Sequence, residues 1–68
     1  MTFSEVEDLF DERALLEKEG KLYRYCSTAA ELIRRIKTRV FQDIESGEEI
    51  GISYEELRNN QTLKCKYV

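Results

Sequence analysis

Histidine is absent from this 68-residue chain, and cysteine occurs only twice. Without histidine, and with Cys26 and Cys65 in no Cys-x-x-Cys spacing, the common ligand sets of structural zinc are excluded. The same absence removes the most frequent general base, and neither thiol has an activating neighbour along the chain. No catalytic residue, metal or cofactor is therefore expected, and the chain does not read as an enzyme. With 14 acidic residues on so small a surface, pairs of carboxylates are unavoidable and signal no acid–base chemistry. No apolar run is long enough to cross a bilayer, so no membrane partner is expected, and the first five residues lack the basic start and apolar centre of a signal peptide. A cytoplasmic location is the expectation. In that reducing setting Cys26 and Cys65 read as small buried hydrophobes rather than as a disulfide.

What is present is a folded composition, 41% hydrophobic and 37% charged, in a chain long enough for one domain spanning 1–68. A domain of this size buries only about 60% of its unfolded surface, so its core is thin and a homodimer or a partner protein would add stability. The net charge of −3 divides along the chain. Residues 1–20 hold seven acids and two bases, a balance of −5; residues 21–41 hold six bases and one acid, +5; residues 42–68 return to −3. Such blocks either neutralise one another on folding or leave two faces of opposite potential.

The chain is organised around residues 34–52, where a basic stretch runs into a hairpin signature. Thr38, Val40, Gln42 and Ile44 alternate with Arg39, Phe41, Asp43 and Glu45, and Ile50 and Ile52 resume the period. Between the runs Gly47 supplies the positive φ of a type I turn with a G1 bulge. The carboxylates around that turn miss the spacing of an EF-hand, so a solvated turn is read there.

Upstream, Ser4 and Glu7 form a capping box, and Phe3, Val6, Leu9, Phe10, Ala14 and Leu16 share one stripe, predicting an amphipathic helix stopped by Gly20. Leu15 does not fit that stripe, which leaves it for a distant strand or a partner. Residues 21–26 read as a strand. Thr28 with Glu31 makes a second capping box, and Ala29, Leu32, Ile33, Ile36 and Val40 form a helical stripe, predicting a second helix over residues 28–37. The competing reading is a long bent strand through residues 30–44 in a small SH3-like barrel with an N-terminal helix. Ser53 with Glu56 opens one or two further helical turns that end at Asn59 and Asn60, and residues 62–68 alternate as an edge strand protected by Lys64 and Lys66. The fold class is α+β, with an N-terminal amphipathic helix, a second helix and a small antiparallel sheet built on the hairpin.

Function rests on charge alone, since no motif carries chemistry. The leading expectation is a non-enzymatic protein-interaction or regulatory module that docks through charged faces. The alternative is a nucleic-acid-binding domain using the basic segment 21–39, because aromatic rings interleaved with cations suit single strands. Candidate contacts for a partner or nucleic acid are Lys21, Tyr23, Arg24, Tyr25, Arg34, Arg35, Lys37 and Arg39. Candidate contacts on an acidic face are Asp8, Asp11, Glu12, Leu15 and Glu19.

Overall fold

The computed structural model describes residues 1–26 and 38–67. Helix α1 spans Phe3–Phe10 and is opened by Thr2 rather than Ser4. The Glu5 amide donates to Thr2 Oγ1 at 3.2 Å, and the Thr2 amide donates to Glu5 Oε1 at 2.9 Å, which completes a reciprocal capping box. Val6 and Leu9 bury the inner face.

The helix ends ten residues before Gly20, which corrects the expectation of a helix continuing to that glycine. Arg13 donates its amide to the Asp8 carbonyl at 2.9 Å and Glu12 donates to Leu9 at 3.1 Å, the paired bonds of a Schellman motif, with Glu12 in the left-handed region at φ 59. Strand β1 follows at Ala14–Lys18. It alternates Ala14 and Leu16 toward the core with Leu15 away from it, and so accounts for the leucine that a helical stripe leaves out. Gly20 serves in a turn instead. Glu19 at φ 52 and Gly20 at φ 78 form a two-residue link with both central φ angles positive, as a type I′ hairpin requires, and deliver the chain into β2, Lys21–Tyr25.

The hairpin over residues 38–52 forms as the alternation indicates, with β3 at Thr38–Asp43 and β4 at Glu49–Ser53. Its loop is one residue longer than a type I turn with a G1 bulge. Asp43 exchanges bonds with Glu48 and Gly47, the Gly47 amide reaching the Asp43 carbonyl at 2.9 Å, and Gly47 takes the expected positive φ of 78. Ser53 Oγ accepts from the Glu56 amide at 3.0 Å and opens α2, Tyr54–Asn59, whose Leu57 is fully buried. Asn60 ends it in an extended conformation, not a left-handed one, and its Oδ1 accepts from the Thr62 amide at 2.9 Å. Strand β5, Lys64–Tyr67, closes the chain along an edge.

The five strands form one antiparallel sheet in the order β4-β3-β2-β1-β5. Cross-strand partners share a face, so Leu16, Tyr23 and Cys65 point to one side together with Phe41 and Ile50. Helices α1 and α2 cover that side: Val6 and Leu9 from α1 and Leu57 from α2 join Ala14, Leu16, Tyr23, Phe41, Ile52 and Leu63 in one core. The Met1 ammonium donates to the Leu57 and Arg58 carbonyls at 3.2 and 3.1 Å, tying the start of α1 to the end of α2. Among the described residues β4 and β5 have no strand on their outer sides. The expected helix at 28–37 lies outside the described residues; of the long strand over 30–44, only the part from Thr38 is described, and it is β3 in either reading.

Two measurements test this arrangement. Phe41→Ala, at a position with no exposure, is expected to cost about 3–5 kcal/mol in urea unfolding, a large share of the stability of so small a domain. Glu19→Asn is expected to raise stability by about 1 kcal/mol, because asparagine tolerates the left-handed φ that glutamate adopts at a cost.

Candidate functional site

The described members of the basic segment do not form one patch. Tyr23 is only 7% exposed and belongs to the core. Tyr25 packs between Phe10 and Phe41, with ring centroids 4.9 and 5.6 Å away. Arg39 lies on the same side of the sheet, its guanidinium carbon 5.4 Å from the centre of the Phe10 ring, in cation–π range. Lys21 is exposed at the turn end of β2. Arg24 projects from the opposite side, where its Nη2 donates to Gln42 Oε1 at 2.6 Å and its Nη1 stands 4.0 Å from Glu12 Oε1. Gln42 Nε2 in turn donates to the Gly47 carbonyl at 3.2 Å, so this polar chain runs from the exit of α1 to the hairpin loop. Arg34, Arg35 and Lys37 lie outside the described residues.

The acidic candidates divide. Asp8, Asp11 and Glu12 come together at the C-terminal end of α1, joined by Glu7, which is exposed one turn before Asp11. Leu15 lies half-buried on the far side of β1, and Glu19 sits in the turn beyond that strand, beside Lys18 at 3.8 Å, roughly 16 Å from Glu12 by strand rise. Within the cluster, Asp8 Oδ1 stands 3.8 Å from Arg13 and Asp8 Oδ2 accepts from the Tyr67 hydroxyl at 2.6 Å. Glu7 and Asp11 have no ion pair among the described residues. A helix running to Gly20 would place Glu7 near the positive end of the dipole, whereas the end of α1 at Phe10 puts it near the negative one. A glycine at position 12 would have marked the true end, but that position carries glutamate.

Among the described residues, hydrogen bonding and burial perturb three titrating groups. The Glu45 amide, 2.8 Å from Asp43 Oδ1, holds the Asp43 carboxyl below the usual aspartate value against the opposing effect of burial, and the Ser46 amide at 3.3 Å assists. Burial pushes the Cys65 thiol up. Tyr67 is raised because its hydroxyl donates to the Asp8 carboxylate. Cys26 and Cys65 are both free thiols.

A groove of about 570 Å³ runs along the β5 edge, lined by Met1, Glu5, Glu17, Leu63, Lys64 and Lys66 among others. Its charges are mixed, and Lys66 Nζ pairs with Glu17 Oε1 at 3.5 Å. Among the described residues no group of three or more Cys, Asp or Glu converges to hold a metal ion, and no helix is long and apolar enough to cross a membrane. Comparisons with family models, curated proteins and solved structures give no significant match.

Asp43 supplies a pH test. Because its folded pKa is depressed, its contribution to stability is complete above the ordinary value of 3.8 and fades as the pH falls through the lower folded value. Asp43→Asn is therefore expected to lower the unfolding midpoint at neutral pH, with the gap to wild type narrowing as acid titrations descend below pH 3.8.

Proposed function

We propose that the protein is a non-enzymatic interaction module of the cytoplasm that docks a basic protein surface through the acidic C-terminal end of α1. The carrying observation is that this end is built against its own local stability. Glu7, Asp8, Asp11 and Glu12 crowd the negative pole of the helix dipole, and the last turn contains no basic residue. Glu12 also holds a left-handed backbone at φ 59 where glycine would be unstrained. A left-handed glutamate among crowded carboxylates at an exposed helix end is the pattern expected of a surface kept for recognition. The engaged rings of Tyr23 and Tyr25 favour this reading over nucleic-acid binding, which would use them as stacking platforms.

The combined variant Glu7→Gln, Asp11→Asn, Glu12→Gly separates recognition from structure, since stability and binding should move in opposite directions. Its melting temperature is expected to rise, by the equivalent of about 1 kcal/mol, while protein partners that salt releases from the wild type are no longer retained. Equal retention by both proteins would contradict the proposal. Nucleic acid co-purifying with the wild type, visible in the absorbance ratio and stripped by salt, would favour the alternative.

A further inference from the structure

We propose that copies of this chain associate head to tail, the β5 edge of one molecule joining the β4 edge of the next so that the sheet continues from copy to copy. Both outer strands leave a row of backbone amides and carbonyls with no neighbouring strand among the described residues. The two edges carry opposite charge on the same face. Lys64 and Lys66 are exposed on β5, on the side of the sheet away from the helices, because Cys65 between them is the cross-strand partner of core residue Leu16. Glu49 is exposed on β4 on that same side, because Ile50 is the partner of core residue Phe41. Lys66 is engaged by Glu17, whereas Lys64 and Glu49 have no ion pair among the described residues.

Strand direction fixes the rest of the contact. β1 and β3 are each antiparallel to β2, β5 is antiparallel to β1 and β4 to β3, so β4 and β5 run the same way. A second copy with its helices on the same side therefore offers β4 to β5 in parallel. The register that sets Lys64 beside Glu49 also sets Cys65 beside Ile50, Lys66 beside Gly51 and Tyr67 beside Ile52. Tyr67, 60% exposed in the single copy, is covered in the pair.

Like edges fit less well. In any β5 against β5 pairing that keeps the helices on one side, the outer face brings lysine only against lysine. In β4 against β4, Glu49 finds no cation among Gly51 and Ser53. A heterologous contact continues into rings or open chains, and a parallel ladder of four residues is weak, so the assembly is reversible and grows with concentration. It meets the acidic end of α1 only through Tyr67, whose hydroxyl donates to Asp8, and it stands whether or not that end docks a partner.

The test uses two charge reversals, Lys64→Glu with Lys66→Glu on one edge and Glu49→Lys on the other, with circular dichroism confirming that each folds. Sedimentation of the wild type from micromolar to millimolar concentration is expected to show an average mass rising above the monomer. Each variant alone is expected to remain monomeric over that range, and an equimolar mixture of the two is expected to associate again, because lysine edges then meet glutamate edges. A wild type that stays monomeric throughout overturns the proposal. So does association of the Lys64→Glu, Lys66→Glu variant alone, which would mean β4 against β4, or of Glu49→Lys alone, which would mean β5 against β5.

Discussion

The register of β1 is the constraint on which the rest of this structure depends. Leu16 is fully buried between Tyr23 of β2 and Cys65 of β5, beneath the helices. A slip of one residue would turn Leu16 outward and drive Leu15 and Glu17 into the core, with a buried carboxylate as the penalty. Two tight turns hold the register from either end. The Schellman bonds at Glu12 and Arg13 stop α1 just before the strand, and the Glu19–Gly20 turn reverses the chain just after it. Both turns place a glutamate at positive φ, so the position of β1 is maintained against a local backbone cost.

How much of this is legible in the residues follows from where local and tertiary preferences agree. The β3–β4 hairpin is readable because alternation, β-branched residues and Gly47 all point the same way. So is the start of α2, where Ser53 caps Glu56, and so is the lysine-flanked edge strand β5. The helix predicted to reach Gly20 is not borne out, because Ala14, Leu15, Leu16, Glu17 and Lys18 are all good helix formers whose strand conformation comes from pairing on both sides. The stop signal at position 12 is a conformation without its usual glycine. Leu15 is the residue that points to the strand, since two faces explain it and one helical stripe does not. In the candidate site, the cluster of Asp8, Asp11 and Glu12 could be proposed from charge, but its separation from Leu15 and Glu19 depends on where α1 ends.

Small size connects the open edges to the exposed charge. Among the described residues, one core of nine buried residues is covered on one side by helices totalling fourteen residues, and two sheet edges have no neighbouring strand. Of the described ion pairs only Arg24 with Glu12 joins the acidic first segment to the basic second, at 4.0 Å between exposed side chains, where its contribution is small. Lys66 with Glu17 instead ties the first segment to the last, across the β1–β5 pairing. Among the described residues the apolar set around Leu16 and Phe41, rather than these exposed ion pairs, holds the fold together.

Residue-resolved native-state hydrogen exchange tests the central place of β1 most directly. Amides in Ala14–Lys18 lie in a strand bonded on both sides, and with those of β2 they are expected to be the slowest to exchange, opening only on global unfolding, while the single-layer helix α1 exchanges sooner. Protection in α1 that continues unbroken through residues 11–18, with helical rather than cross-strand proton contacts, would contradict a sheet centred on that strand.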